Sequence, residues 1–419
     1  MPTNTLLTIG MITREALESF QNNLVFCNRA HILRQYSREF AVPGDKIGPT
    51  LSIRLPAQLR AVSGPNLQVQ DYIEQSVPLS INQQEHVDLQ FTSFEMTLSL
   101  DEWRDRIGDP AGIVLANKVD AYGLGLYWQI PNAVLVPTAG NVKWRAYLQA
   151  GALLADNGAP NDGTWRAVLN QWAQVDVVDE LKGLFQSSEQ IKRQYERGLM
   201  GESGGYTWAW DQNVPIHTTG PRGGAPLYAT TGSDGLSITV TGFTAAAANR
   251  LKKGDIFTFG DPATPAAGDI FAVNPVSLQS TGKLRQFTVT SDVNSAADGT
   301  ATIPIFPAII GPATPANPRQ TVHALPTAGK ALTFLGAAST SYFQSIIHQK
   351  SAFALGMVRL QEPFSGQTSY AVDEASGVAI RTWRASDITT DSHASRGDVA
   401  FGFCSPRPQW AVRAWAPTA

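Results

Sequence analysis

The sequence predicts an α+β fold whose host layers are interrupted by an inserted all-β segment. Three observations predict it. Through the first 210 residues, helical stripes and alternating strand patterns follow one another. No Glu occurs between Glu202 and Glu362 and no Trp between Trp210 and Trp383; Gly, Thr, Ala and Pro dominate there, in short alternating runs parted by turn residues. Past Gly336 the host pattern returns, with strand runs at Ala352 to Leu360, Val378 to Arg384 and Gln409 to Trp415.

The chain opens with an amphipathic helix. Leu17, Phe20, Leu24 and Cys27 recur at 3-4-3 spacing on one stripe; Thr13 is placed to cap the start, and Arg34 and Arg38 suit the far end. It is either a core helix or an arm that docks on a neighbour. From Asp45 to Ser99 the chain is extended. Leu51, Ile53 and Leu55 alternate with Ser52 and Arg54, and Val87, Leu89 and Phe91 with Asp88 and Gln90. Pro43, Pro49, Pro56, Pro65 and Pro78 exclude a central strand, so the pattern is a long hairpin with Ser63-Gly64-Pro65-Asn66 near its tip. Such an arm buries little against its own chain, and Leu51, Ile53, Leu55, Leu59 and Leu67 need a partner surface.

Asp109-Pro110 caps and starts a helix running to Ile130, about 30 Å at 1.5 Å per residue. Leu115, Val119, Tyr122 and Leu126 line one face, and Gly123 and Gly125 permit close approach. Helices follow at Val142 to Ala155 and Val175 to Phe185. The box Ser187-Ser188-Glu189-Gln190 opens a charged helix from Glu189 to about Leu199. Trp165 to Leu169 and Tyr206 to Trp210 are strands. The all-β segment spans about Val214 to Gly336, with runs at Leu236 to Val240, Ile256 to Phe259, Gln286 to Thr290 and Ala301 to Ile305. It reads as a small barrel or sandwich, long enough to bury a core of its own.

At 419 residues the chain is long enough for two or three domains. Charged residues make up 16%, against ~25% in an ordinary soluble protein, and the net charge is −3. With Arg250, Lys252 and Lys253 the only tight basic cluster, binding to nucleic acid by bulk charge is excluded, because counterion release needs clustered Lys and Arg. Any DNA contact is expected to be weak and sequence-independent. Cys27 and Cys404 form no disulfide framework and no CxxC pair, which fits a reducing compartment. The start MPTNTLLTIGMITREALESF lacks the pattern of a secretory signal, and Pro304, Pro307, Pro312, Pro315 and Pro318 break the one long uncharged run, so the chain is read as soluble and unexported.

Motifs of chemistry are weak. Gly201-Glu202-Ser203-Gly204-Gly205 matches GxSxG, but that elbow needs a strand before the serine and a helix after it. Here a charged helix precedes and Tyr206-Thr207-Trp208 follows, which describes a glycine-rich turn. His31, His86, His217, His323, His348 and His393 are dispersed, without HExxH or i, i+4 pairs. Asp101-Glu102 and Asp105, beside Arg104 and Arg106, form a solvated turn. Lys253-Gly254-Asp255 is a turn, and Arg396-Gly397-Asp398 spells an adhesion tripeptide too short to be specific. No catalytic, cofactor or metal residues are expected. The positive features describe a protein made to touch copies of itself.

Four stretches carry a resemblance: Asp109 to Ile130 after an extended arm; QIKRQYERGLMGESGGYTWAW at Gln190 to Trp210; Leu251-Lys252-Lys253-Gly254-Asp255-Ile256; and the tail, with FQSIIHQKSAFALGMVRL at Phe343 to Leu360 and Arg396-Gly397-Asp398 through Arg407-Pro408-Gln409-Trp410-Ala411-Val412-Arg413 as a closing strand pair. In this order they resemble the tailed-bacteriophage major capsid proteins, in the P22-like coat protein group built on the HK97 fold. The resemblance implies an N-terminal arm or helix (1–44), an E-loop (45–80), a peripheral domain with a spine helix (81–135), an axial domain in two parts (136–213 and 337–395), an inserted β-barrel domain (214–336) and closing strands (396–419). It implies an icosahedral shell of pentamers and hexamers, assembled in the bacterial host cytoplasm with a scaffolding protein and a portal, filled with double-stranded DNA and touching no membrane. The loop between Ala229 and Arg250 is shorter than in some relatives, and no motif supports a Lys–Asn cross-link. The alternatives are an encapsulin-like shell, a serine hydrolase using Ser203 and a carbohydrate-binding β module. Assembly contacts are expected from Leu51, Ile53, Leu55, Leu59 and Leu67 on the hairpin and Leu17, Phe20 and Leu24 on the first helix.

Overall fold

A computed structural model describes residues 9–28, 31–35, 50–62, 64–70, 74–92, 109–137, 143–181, 202–232, 234–313, 316–363, 366–373, 377–387, 389 and 392–418. The chain divides into two units. One takes Met1–Arg54, Ser76–Gly123 and Phe353–Pro406; the other takes Leu55–Gln75, Leu124–Ala352 and Arg407–Ala419.

In the first unit, helix α1 (Ile9–Asn23) packs against strands Gln367–Asp373 and Val378–Asp387, with Leu17 and Phe20 buried. It starts before Thr13, so that residue is a buried interior position and not the cap. It also stops before Leu24 and Cys27, which stay buried in the turn beyond. Helix α2 (Asp109–Leu124) explains that stop: the buried Asp120 carboxylate accepts hydrogen bonds from the backbone N–H of Val25 and of Cys27, each at 2.7 Å. Arg34 lies in strand Leu33–Gln35, and Arg38 falls outside the described residues. Gly123 faces Phe26 and Phe403 so closely that a Cβ there would lie 2.8 Å from the Phe26 ring; Gly125 has open space.

The sheet of this unit is ordered Leu33–Gln35, Ala354–Val358, Ser392–Cys404, Val378–Asp387, Gln367–Asp373, and Gln83–Thr92 also pairs with Ser392–Cys404. One edge of that 13-residue strand runs along Gln83–Thr92; the other is shared by Val378–Asp387 and Ala354–Val358. Thr50–Leu55 and Gln75–Ser80 form a separate two-stranded sheet. The expected closing strand pair is corrected. Arg396, Gly397 and Asp398 lie within Ser392–Cys404, whereas Ala411–Pro417 belongs to a different sheet. Pro406 and Pro408 lack the N–H that a continuing ladder needs, and Pro408–Trp410 forms a 3₁₀ turn.

The second unit holds a mixed sheet ordered Asn132–Leu135, Ala411–Pro417, Ser341–Gln349, Trp165–Leu169, Tyr206–Trp210, Glu202–Ser203, with Ile216–Thr218 also on Ser341–Gln349. Helix α3 (Lys143–Asp156) covers Asn132–Leu135, Ser341–Gln349 and Ala411–Pro417, and packs on α4 (Gln171–Leu181). Tyr147, Ala150, Leu154, Trp165, Tyr206 and Val412 share that core. Helix α4 begins before the expected Val175, and Phe185 falls outside the described residues. The charged helix at Glu189 to Leu199 falls outside the described residues. The helix expected to reach Ile130 becomes 3₁₀ over Gly125–Gln129.

The predicted β runs form a six-stranded sheet ordered Gly224–Tyr228, Gly235–Phe243, Ala301–Ile309, Gln286–Val289, Ile256–Phe259, Leu332–Phe334. An isolated antiparallel bridge also pairs Leu227 with Ala331, the residue just before Leu332–Phe334. Alternation puts Ile238, Val240, Phe257, Phe259, Phe287, Ile303 and Ile305 into one buried cluster, with the Phe257 and Phe287 rings stacked at 5.6 Å. Full burial of each such side chain is worth about 1.5–3 kcal/mol, which holds this sheet together around a core separate from that under α3.

Candidate functional site

The motifs that imitate active or recognition sites are taken up by structure. Ser203 and Tyr206 are register partners across a two-residue hairpin, with Gly204 at φ 62° and Gly205 at φ 85°. Those left-handed values suit a tight turn between antiparallel strands, and glycine adopts them without strain. The turn therefore joins strand to strand, not helix to strand. Ser203 Oγ is buried with no hydrogen-bond partner, so no base touches it. Asp398 of the RGD string is buried. Its Oδ2 accepts from Arg381 Nε and Nη2 at 3.0 and 2.6 Å, and its Oδ1 from Arg396 Nε at 2.5 Å. A carboxylate so enclosed cannot be presented to a receptor. Among the described residues there is no group of three or more His, Cys, Asp or Glu able to hold a metal.

The residues expected to make assembly contacts separate into three sets. Leu17, Phe20 and Leu24 are buried within the chain's own core and offer no free surface. Leu51 and Ile53 pack beside the cluster of Leu79, Ala354 and Cys404, and Leu55 is half-buried. Leu59 and Leu67 are 58% and 89% exposed, accompanied by Val69 at 82%. Across the base of this loop the Gln70 side chain accepts from the Arg60 N–H at 3.1 Å and donates to the Arg60 carbonyl at 3.2 Å. The tip is thus held at its root while its apolar side chains stand in solvent.

A second constellation was not legible as a unit in the sequence. Lys253-Gly254-Asp255 is a turn, with Gly254 at φ 99°. The Asp255 carboxylate is fully buried. Oδ1 accepts from His217 Nε2 at 2.9 Å, and Oδ2 from the backbone N–H of Gly220 and Lys252 at 3.1 and 3.0 Å. Arg413, also fully buried, donates through Nη1 to the Gly254 carbonyl at 2.8 Å and through Nη2 to Thr288 Oγ1 at 3.3 Å. Burial pushes the Arg413 guanidinium down to about 9, with Tyr127 and Asp255 opposing. Lys253 Nζ sits 3.5 Å above the Trp128 ring. The Gln286 amide pairs with both backbone groups of Ala133, at 2.7 and 2.8 Å. These contacts fasten the β sheet of 224–334 to the mixed sheet, through Arg413 on Ala411–Pro417 and Ala133 on Asn132–Leu135. Only the turn signal of Lys-Gly-Asp was visible beforehand; His217 and Arg413 lie far away in sequence.

A family model for the P22 coat protein, gene protein 5, matches residues 229–412, a little under half of the chain. The match runs from the β segment through the returning strand Ser341–Gln349 into Ala411–Pro417. Over this segment the chain is similar to the P22 coat protein family. It is a bacteriophage major capsid protein. Among solved structures, the coat protein is similar to the capsid of Ralstonia phage GP4, at 8% identity and a TM-score of 0.46 over 99% of this chain and 95% of that one. It is similar to the mature capsid of bacteriophage PhiM1, at 8% and 0.44 over 100% and 90%. It is also similar to a virus-like particle from Pyrococcus furiosus, at 8% and 0.39 over 97% and 100%. No curated protein matches it.

Proposed function

We propose that this coat protein builds an icosahedral head of pentamers and hexamers around the double-stranded DNA of a tailed phage. The family match over 229–412 carries the reading, because it covers most of the β segment and the host strands that follow it. The segment 214–336 acts as an inserted β-barrel on an HK97-like host; the Leu227–Ala331 bridge supports closure. The divisions 1–44, 45–80, 81–135, 136–213 and 337–395 then serve as arm, E-loop, peripheral domain and the two parts of the axial domain. The E-loop supplies the assembly contact through Leu59 and Leu67, while Leu17, Phe20 and Leu24 serve the subunit's core.

The role is structural and not catalytic, and the unpartnered hydroxyl of Ser203 supports that. A scaffolding protein and a portal guide assembly in the host cytoplasm, and the finished protein resides in the virion, its DNA held without sequence specificity. Negative-stain microscopy and sedimentation of the purified full chain test this. Closed or curved shells are expected; a single species of 45.1 kDa at every concentration contradicts it.

A further inference from the structure

The second unit contains a cleft of about 510 Å³ whose lining among the described residues includes Arg285, Arg319 and Arg407 but no Asp or Glu. Its other walls are largely apolar, with prolines, Leu55, Leu59 and Trp410. Arg285 is 5% exposed. Its Nη1 donates to Asn157 Oδ1 at 2.9 Å, and its buried Nε has no hydrogen-bond partner. The Arg407 guanidinium lies 4.0 Å from the centre of the Trp410 ring. Stacking covers one face of that plane and leaves its N–H edge available. Burial alone pushes Arg285 down to about 10 and lowers Arg407 as well, with no carboxylate acting against the shift.

A buried guanidinium without a counter-charge is unfavourable, and three cationic side chains around one cleft compound the imbalance. The ligand that corrects it must bring negative charge and several acceptor oxygens. One carboxylate supplies a single charge and two oxygens. A phosphate supplies up to two charges and three free oxygens, in a geometry that guanidinium forks match. We propose that this cleft binds a phosphate group, held by Arg285, Arg319 and Arg407. The group is either free phosphate or the terminal phosphomonoester of a nucleic-acid strand entering from solvent.

Thermal melts of the full-length subunit test it, with inorganic phosphate against chloride at equal ionic strength and, separately, with a short single-stranded oligonucleotide bearing a 5′-terminal phosphate. A saturable rise in Tm is expected, and R319Q and R407Q each weaken its concentration dependence about tenfold, the loss of one charge-assisted pair. A rise with inorganic phosphate assigns the site to the free ion. A rise with the oligonucleotide alone assigns it to nucleic acid. R285Q removes the buried donor; should it fail to fold, the two less buried variants still decide. No rise with either ligand, or a rise unchanged in R319Q and R407Q, overturns the proposal.

Discussion

Asp255 shows how much one buried side chain does here. Its two oxygens hold His217, Gly220 and Lys252 together, so Asp255→Ala leaves several buried donors without an acceptor. Breaking a buried pair in this way costs about 3–5 kcal/mol, and urea unfolding of the full chain should show a loss of that order. Arg413→Met leaves the Gly254 carbonyl without its donor and removes a cation near Asp255, so it should cost an amount of the same order. Cys404 makes a separate prediction. Burial pushes its thiol from 9.0 up to about 12, so the neutral form is favoured in the folded state. Its contribution is fully present below pH 9 and is lost as pH rises toward 12. Cys404→Ala should flatten the alkaline fall in stability over that window. Cys27 and Cys404, both buried, should react with a thiol reagent at pH 8 only after unfolding.

At the scale of elements, the hairpin loop and α1 carry similar apolar residues with opposite fates. Phe20→Ala opens a cavity in a filled core and should destabilise by about 3–5 kcal/mol. Leu67→Asp changes a side chain in solvent, so the subunit should melt as before while shell formation is lost; circular dichroism beside sedimentation separates the two effects. Ser203→Ala should change neither. Period alone could not make this distinction. The 3-4-3 stripe marks an apolar face on α1, but only the sheet packed on it shows that the chain covers that face itself. Strands such as Ile256–Phe259 and Tyr206–Trp210 were legible because alternation and turn residues are local signals. The stop of α1 at Asn23 was not, because Asp120, which takes the N–H groups of Val25 and Cys27, lies far along the chain. The strand partners of Ser392–Cys404 were hidden for the same reason.

For the whole molecule, the abrupt loss of Glu and Trp marked a stretch of β strands, and residues of those strands share a buried cluster. The fastening to the mixed sheet through Arg413, Gln286 and Thr288 was invisible, because it is built by side chains more than a hundred residues apart. The central claim is that copies of this coat protein close into a shell through the loop between Thr50–Leu55 and Gln75–Ser80. Cryo-electron microscopy of particles formed by the full chain tests it most directly. The expected result is pentamers and hexamers in which Leu59 and Leu67 are buried against a neighbouring subunit. Shells in which both remain in solvent, or a chain that forms no particles, would contradict it.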